Sequence, residues 1–352
     1  MFALAKRKQV YFDRTKPPTM KAFIIDTYKT KDGGRIADVP QPEVRPGDVL
    51  VQVHAAGLNI LDSKIRTGEF KLVLPYRFPL ILGNDVAGVV VKVGAQVRRF
   101  KVGDEVYARP DKDRIGTLAE YIAMDEADVA LKPRSISMEE AAGIPLVGLT
   151  AWQALVQSAD LKKGQKVFIQ AGSGGVGTFA IQLAKHLGAS VATTASAANA
   201  ELVKRLGADV VIDYKKEDFE TVLRGYDVVL NSQDPKTLEK SLRILKPGGK
   251  LISITGPPDA AFARELDSSW YVELLMKVLS VGVRRKAKRL KVDYAFLFMK
   301  ANGDQLARIT ALIDAGAIRP VMDKVFPFQE TKEALAYLET GRAKGKVVVK
   351  VM

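Results

Sequence analysis

The distribution of hydrophobic residues changes near the middle of the chain. From Met20 to about Pro145, β-branched residues alternate or cluster over short runs such as DVLVQVHAAGL, and Gly, Pro and Asp separate these runs at close intervals. Runs of this length and composition predict strands, so we expect a β-rich module with few long helices. One helix start is expected in SMEEAAGIP, where Ser137 and Glu140 have the spacing of a capping box.

Between about Thr150 and Gly256, continuous apolar runs alternate with helical patterns. KVFIQA is followed by GVGTFAIQLAKHLG and then by SVATTAS. This order is typical of a parallel sheet that helices cover on both faces. Beyond it, DQLARITALIDAG predicts an amphipathic helix that ends at Gly316, and KVVVKV predicts a strand that returns to the first module. The patterns together predict an α/β fold.

The first strand-to-helix join of the second module carries glycines at positions 172, 174 and 177, in the pattern GxGxxG. The first glycine allows a tight turn, the second lets the backbone approach a pyrophosphate, and the third lets the helix pack on the strand. A pyrophosphate would meet the positive N-terminus of the helix. The motif alone is weak evidence, but its position between a strand and a helix predicts a dinucleotide site.

The stretch after this turn contains no acidic residue. It reads GASVATTASAANA from Gly188 to Ala200. In this motif an Asp or Glu about 20 residues past the turn normally accepts hydrogen bonds from the ribose 2′-hydroxyl of NAD. Its absence favours NADPH over NADH. Polar and cationic side chains lie there or follow: Thr194, Ser196, Asn199, Lys204, Arg205 and Tyr214.

Composition narrows the chemistry further. The 352 residues include no cysteine and only two histidines, His54 and His186, so disulfides are excluded and the usual zinc ligands are missing. Charged residues interrupt every apolar stretch well before the roughly 20 residues that span a bilayer, so no membrane insertion is expected. Residues 1–19 are basic and lack the apolar centre of a signal peptide, and we expect a poorly ordered extension.

The formal charge of +14 raises the question of nucleic acid. Most of the charge is scattered, but one cluster lies within VGVRRKAKRLKVDYAF. Three interpretations stay open: a solvated helix or loop face, a surface for an anionic partner such as RNA, or a phosphate contact to the cofactor. The cluster comprises Arg284, Arg285, Lys286, Lys288, Arg289 and Lys291.

Several motifs, in their order along the chain, resemble the zinc-independent medium-chain dehydrogenase/reductases, specifically the quinone oxidoreductase and enone (alkenal) reductase branch. They include AAGLNILDSKIRTG at 55–68, PLILGNDVAGVVVKVG at 79–94, AAGIPLVGLTAWQAL at 141–155 and AGSGGVGTFAIQLAKHLGA at 171–189. The resemblance covers nearly everything from Met20 onward. It implies a GroES-like β-rich catalytic domain at 20–147 and 305–352 and a Rossmann-type parallel-sheet cofactor domain at 148–304.

The resemblance also implies the reaction. Zinc-using relatives carry a Cys where this chain has Asn59, and a His-Glu pair where it has Asn84 and Asp85. Without a metal to act as Lewis acid, alcohol oxidation loses its usual catalyst. The resemblance therefore implies NADPH-dependent hydride transfer to an α,β-unsaturated carbonyl or a quinone without metal. Candidate donors to the developing enolate are Asn59, Lys64 and a ribose hydroxyl of the cofactor.

Cofactor-contacting residues are implied at the positions that match the family's motifs. Each of three has an ordinary alternative: Lys64 as a surface cation, Tyr214 as strand-end packing and Lys346 as a solvated side chain. The strand end YDVVLNSQDP departs from the family's pattern at Asn231 and Ser232. The implied cofactor residues are Asn59, Lys64, Thr150, Gly174, Gly175, Val176, Thr194, Ser196, Tyr214, Thr255, Gly256 and Lys346.

Alternative functions remain open at this point. One is a non-catalytic NADPH- or RNA-binding protein of the same fold, and another is an alcohol dehydrogenase that needs no metal. The expected partners are a small enone or quinone and a second copy of the chain, with residues 292–299 as an edge strand that could pair between copies. We expect a cytoplasmic location.

Overall fold

The computed structural model describes residues 18–29, 33–71, 74–259, 262 and 270–352. Residues 1–17 of the predicted extension lie outside the described residues. The strands are β1 (Thr19–Ile25), β2 (Arg35–Pro40), β3 (Asp48–Leu58), β4 (Leu80–Ile81), β5 (Asp85–Val93), β6 (Glu105–Ala108), β7 (Tyr121–Asp125), β8 (Val129–Leu131), β9 (Lys166–Ile169), β10 (Ser190–Ala195), β11 (Val210–Asp213), β12 (Tyr226–Asn231), β13 (Leu245–Ser253), β14 (Asp293–Phe296), β15 (Met322–Pro327) and β16 (Lys346–Lys350).

Helices are concentrated in the second half of the chain. Single turns of 3-10 helix follow β7, β10 and β15, and a π-helical turn, Gln153–Ser158, extends the third helix. The α-helices are α1 (Ile60–Thr67), α2 (Met138–Ala142), α3 (Pro145–Trp152), α4 (Gly175–His186), α5 (Ala200–Arg205), α6 (Phe219–Val222), α7 (Pro235–Ile244), α8 (Trp270–Arg289), α9 (Gly303–Asp314) and α10 (Thr331–Glu339).

A six-stranded parallel sheet has the order β11-β10-β9-β12-β13-β14. Counted from β9, this is the 3-2-1-4-5-6 order of the Rossmann fold. Every residue of β12, YDVVLN, is buried, as expected for a strand covered on both faces. The predicted parallel sheet is confirmed.

The second large sheet has seven strands and combines the two ends of the chain. Its path is β15-β16-β3-β5-β6-β8, and β7 also pairs with β3. The last strand, β16, runs antiparallel to β3, with Val348 opposite Gly57. A small sheet, β2-β1-β4, lies beside it. The predicted return of the terminal strand is therefore confirmed, whereas the domain boundaries at 147/148 and 304/305 stay a prediction.

The helix α2 shows how local sequence sets these elements. The Ser137 hydroxyl accepts a hydrogen bond from the Glu140 backbone N–H, and the Glu140 carboxylate accepts one from the Ser137 N–H. This is the predicted capping box, which satisfies two backbone donors at the start of the helix. Gly316, at the predicted end of α9, adopts a φ of 72°, a left-handed conformation that ends the helix without strain.

One hydrophobic core spans both large sheets. It includes Ala87 and Tyr107 of the seven-stranded sheet together with Val167 and Ile169 of the six-stranded sheet, and α3 packs between them. The continuity of this core fixes the position of one sheet relative to the other and leaves a crevice along their junction.

Candidate active site

A cavity of about 510 Å³ lies at the carboxyl ends of β9 and β12, where the strand order of the parallel sheet reverses. Ligands of open α/β sheets bind at such a point, because the loops leave the two strands in opposite directions. Both large sheets contribute to the wall. Asn59 and Arg109 come from the seven-stranded sheet, and Gly174 and Thr255 come from the parallel sheet.

The glycine turn forms one side of this cavity. Ala171 has a φ of 51°, so the chain turns sharply just after β9, and Gly174 then caps α4. A Cβ at Gly172 would stand 2.2 Å from the Thr193 hydroxyl, and one at Gly177 would stand 2.3 Å from the Ala171 carbonyl oxygen. Both positions therefore require glycine. The unpaired N–H groups of the first helical turn face a space that can receive an anion.

The terminal strand closes the opposite side of the turn. The Gly345 N–H donates to the Ser173 carbonyl oxygen at 2.9 Å, and Gly345 forms an isolated bridge with Gly174. The next residue, Lys346, is buried and its stem lies against Gly175, where a Cβ would meet the Lys346 Cδ at 3.1 Å. The last strand thereby connects the glycine turn to the seven-stranded sheet.

Lys346 belongs to a buried polar network below the turn. Its Nζ donates to Asn59 Oδ1 at 2.5 Å and lies 3.1 Å from Asp85 Oδ2. Asn59 Nδ2 also donates to Asp85 Oδ2, at 2.9 Å. Asp85 Oδ1 accepts the Leu146 N–H at 2.7 Å and so satisfies a donor at the N-terminus of α3. The lysine is therefore an interior ion-pair partner, and its alternative interpretation as a solvated side chain is wrong.

A second buried carboxylate extends the network. Asp62 accepts the Asn59 N–H and the Asn84 Nδ2–H, each at 2.7 Å. The Oδ1 of Asn84 is buried without a hydrogen-bond partner. Burial raises the pKa of Asp62 to about 6, against the opposing effect of its two hydrogen bonds. Burial also raises the pKa of Asp85, and the positive charge of Lys346 offsets part of that effect.

A different amide network supports the carboxyl ends of β9, β12 and β13. Asn231 Nδ2 donates to Gln170 Oε1 at 2.7 Å, and the Ser253 hydroxyl donates to Asn231 Oδ1 at 2.6 Å. The Gly256 N–H then donates to the Ser253 hydroxyl. Asn231, where the sequence departs from the family's pattern, thus ties three strand ends together behind the wall formed by Ser232 and Gly256.

Most of the predicted cofactor residues meet at this cavity. Lys64 lies at its wall as a half-exposed cation 3.5 Å from Glu69. The Thr150 hydroxyl donates a hydrogen bond to the Leu146 carbonyl oxygen, which lies one turn earlier in α3. The predicted residues that line the cavity are Asn59, Lys64, Thr150, Gly174, Gly175, Val176, Thr255, Gly256 and Lys346.

Thr194, Ser196 and Tyr214 do not line the cavity. Thr194 is buried, and its hydroxyl accepts the Ala171 N–H, so it supports the glycine turn from the neighbouring strand. Ser196 follows β10 directly, and Tyr214 follows β11 and is 61% exposed. Ser196 and Tyr214 therefore lie to one side of the glycine turn, at the ends of β10 and β11, which follow β9 in the order of the sheet.

Sequence reasoning missed several residues of the cavity wall and Asp62 of the adjoining polar network. Asp62 had a local signal, because an acid three residues after Asn59 is the spacing of a capping box. Arg109, at the end of β6, had none. No signal in the sequence predicted the apolar wall either, because its residues come from separate segments of the chain. They are Leu61, Phe70, Leu146, Phe262, Phe296 and Phe298.

The basic cluster is exposed at the end of α8 and just beyond it, and none of its residues lines the cavity. Lys286 pairs there with Glu239. Within the described part of the chain, no helix is long and apolar enough to cross a membrane. Among those same residues, no three His, Cys, Asp or Glu side chains are grouped in a way that would hold a metal ion.

Comparison with known proteins identifies the family. Residues 45–134 match the alcohol dehydrogenase GroES-like domain, and residues 206–349 match the zinc-binding dehydrogenase domain. The chain is 38% identical to the chloroplastic NADPH-dependent alkenal/one oxidoreductase of Arabidopsis thaliana, over 96% of this chain and 81% of the relative. It is also 38% identical to the 2-methylene-furan-3-one reductase of Solanum lycopersicum, over 95% of this chain and 79% of the relative.

The fold agrees with that of a solved quinone oxidoreductase. The structure of this enzyme from Coxiella burnetii matches with a TM-score of 0.83 and 32% identity, over 95% of this chain and 100% of that one. The expected combination of a GroES-like and a Rossmann-type domain is confirmed. The chain belongs to the medium-chain dehydrogenase/reductases, in the branch of the quinone oxidoreductases and enone reductases.

Proposed function

We propose that the protein is an NADPH-dependent oxidoreductase that transfers hydride to an α,β-unsaturated carbonyl compound or a quinone. The observation that carries this proposal is the cavity itself, in which a dinucleotide turn opens onto an apolar chamber with a buried polar network at its base. The family relatives that reduce alkenals, enones and quinones support the same reaction class.

The residues at the turn fit NADPH. Gly174 offers open space where the pyrophosphate would lie, since a Cβ there would have only the Ala171 carbonyl oxygen as a neighbour, at 3.4 Å. Asn199 lies beside the turn, donating to the Ser173 hydroxyl, and its buried Oδ1 has no partner. That oxygen is a free acceptor for a ribose hydroxyl. The end of β10 carries no acid that would repel a 2′-phosphate, and Ser196 and Tyr214 flank this position.

Bound NADPH supplies the hydride, and the chain supplies position and a suitable electrostatic environment. Thr255 and Gly256 would hold the ribose next to the nicotinamide, and Thr150 would lie beside the nicotinamide ring. Asn59 and Lys346 form the polar base of the chamber, and apolar side chains exclude water from the rest. No metal takes part in this proposal, because amide and carboxylate groups at Asn59, Asn84 and Asp85 replace the ligands of zinc-using relatives.

We also propose that two copies of the chain form a dimer through the β14 edge of the parallel sheet. Within the described residues β14 pairs only with β13 and leaves its outer edge open. The neighbouring helix α8 buries one apolar face, which includes Met276 and Val283, but it also exposes a second apolar stripe. Contiguous exposed apolar side chains mark interaction surfaces. The stripe comprises Trp270, Tyr271, Leu274, Leu275, Val278 and Leu279.

The decisive experiment follows the absorbance of NADPH with the purified protein and a set of enones, alkenals, quinones and simple alcohols. We expect oxidation of NADPH with one or more enones, alkenals or quinones, and a lower catalytic efficiency with NADH. Inactivity against every acceptor class would overturn the proposal. Oxidation of alcohols alone would identify a metal-free alcohol dehydrogenase, and salt-sensitive RNA retention without turnover would identify a binding protein. The cytoplasmic location stays a prediction.

A further inference from the structure

Arg109 is the buried cation that the proposed cofactor geometry does not use. It follows directly after β6, whose last residue, Ala108, pairs with Val86 of β5. Asp85 comes one residue before Val86 and pairs in turn with Gly57 of β3. Three neighbouring strands therefore bring Arg109 to the same end of the sheet as Asp85 and the polar base at Asn59.

The guanidinium is enclosed but unpaired. Arg109 is 2% exposed and lines the cavity, and its Nε is buried without a hydrogen-bond partner. No residue of the described ranges forms an ion pair or hydrogen bond with it. The two other buried cations in the described part of the chain differ: Lys346 pairs with Asp85, and Lys132 contacts two backbone carbonyl oxygens and Glu105.

Three carboxylates act on Arg109 through longer-range charge interactions: Asp85, Asp111 and Asp128. All three accept hydrogen bonds from other groups, so they lower the cost of the buried charge without binding the guanidinium. Burial still has the larger effect and lowers the pKa of Arg109. Their own contacts are the Leu146 N–H for Asp85, the Asp113 N–H for Asp111 and the Asp111 N–H for Asp128.

An unpaired charge in the interior costs several kcal/mol, so its persistence in a cavity wall indicates an anionic ligand atom. The remaining wall is mainly apolar and aromatic, which suits an acceptor with a single anionic oxygen rather than a polyanion. We propose that Arg109 binds the acceptor oxygen that becomes negative during hydride transfer. This inference rests on the proposed reductase function and adds to it the group that stabilises the product of the hydride step.

With an enone as acceptor, hydride transfer precedes protonation. Hydride forms a new C–H bond at the β-carbon, and the electron pair of the C=C bond moves to form the enolate, whose oxygen carries the negative charge. Arg109 donates hydrogen bonds to that oxygen. A proton from water then adds to the α-carbon, so that the acceptor gains one hydride and one proton while NADPH becomes NADP⁺. A quinone oxygen receives the charge in the same way.

The test compares Arg109→Met and Arg109→Lys with the wild type. Loss of one oxyanion donor typically lowers kcat by 10²–10³-fold, so on the order of 10²-fold or more is expected for Arg109→Met, with NADPH affinity unchanged and partial recovery in Arg109→Lys. Because the arginine has no partner among the described residues, Arg109→Met is also expected to keep or raise the melting temperature. Lys132→Met removes a buried cation that does have partners, and it should lower the melting temperature and leave kcat unchanged.

Each of the following outcomes would overturn the assignment of Arg109 to the acceptor oxygen. A kcat of Arg109→Met within about twofold of the wild type would remove the role, since an oxyanion donor is worth far more. A loss confined to NADPH affinity would assign the guanidinium to a cofactor phosphate. A rise in KM only for acceptors that carry a carboxylate would assign it to a fixed substrate anion. A wild type inactive with all acceptors would instead contradict the proposed function itself.

Discussion

The Nζ of Lys346 lies 3.1 Å from Oδ2 of Asp85, although 261 residues separate them in the chain. Their side chains are 6% and 0% exposed. The pair joins the last strand to the strand that carries the cavity base, and Asp85 also caps α3 through Leu146. One carboxylate thus holds together the terminal strand, the seven-stranded sheet and the helix that lies below the cavity.

The first prediction concerns this pair. Asp85→Asn leaves the Lys346 charge buried without its ion-pair partner, and we expect a loss of about 3–5 kcal/mol in the free energy of unfolding. Urea denaturation followed by circular dichroism measures it. Adding Lys346→Met to Asp85→Asn should recover much of the loss, because it removes the uncompensated charge. The exposed pair of Lys21 and Asp38 is the control, and Asp38→Asn should cost less than about 1 kcal/mol.

The second prediction concerns pH and Asp62. Its pKa is about 6 in the folded protein and 3.8 without the fold, so the folded state binds the proton more tightly. The resulting stabilisation is fully present below pH 3.8, the pKa of the unfolded state, and it is lost as the pH rises from there through about 6. The loss attributable to this carboxyl is about 3 kcal/mol. Asp62→Asn should remove that dependence.

The measurement for Asp62 is the difference between wild type and Asp62→Asn in unfolding free energy, taken at several pH values from 4 to 7. The difference isolates Asp62 from other carboxyls such as Asp128, whose pKa burial also raises to about 6. Parallel curves for the two proteins over this range would contradict the prediction.

The third prediction concerns the glycine turn. Gly174→Ala places a methyl group into open space, so the fold should be unaffected while NADPH affinity falls at least about tenfold. Titration calorimetry and thermal denaturation separate the two effects. Gly177→Ala should instead destabilise the protein, since its Cβ would meet the Ala171 carbonyl oxygen at 2.3 Å. Gly282→Ala, with no atom nearby, is a control that should not change affinity.

The fourth prediction concerns the choice of nicotinamide cofactor. Ser196→Asp supplies an acid just after β10, where NAD-dependent Rossmann proteins carry one, and it would repel a 2′-phosphate. We expect the ratio of kcat/KM for NADPH to that for NADH to fall at least about tenfold. Ser190→Asp introduces the same charge at the other end of the strand and should leave the ratio unchanged. Equal ratios in all three proteins would show that this position does not contact the cofactor.

The fifth prediction concerns the proposed dimer. Val278→Glu charges the exposed apolar stripe of α8 and should convert a dimer into a monomer, as measured by size-exclusion chromatography with light scattering. Val102→Glu is a matched control, because both valines are 61% exposed but Val102 lies in a loop before β6. A wild-type monomer, or a dimer that persists in Val278→Glu, would contradict the interface.

Local patterns in the sequence were sufficient to predict the secondary-structure elements and the dinucleotide turn. The glycines at 172, 174 and 177, the capping box at Ser137 and the buried run of β12 each depend on neighbours within a few residues, so sequence spacing predicts them. The assignment of cofactor contacts stays a prediction for every residue named, and three of these residues, Thr194, Ser196 and Tyr214, also lie outside the cavity.

The parallel sheet, the GxGxxG turn and the absence of cysteine could be read from the sequence alone, because these are local features of composition and spacing. The positions at which zinc-using relatives carry ligands came from the resemblance to the family. The burial of Lys346 against Asp85, the contacts of Asn231 with three strand ends and the lack of a partner for Arg109 among the described residues emerge only from the tertiary structure. Burial and pairing depend on strands far apart in the chain, and the energy of a charged side chain follows from what surrounds it.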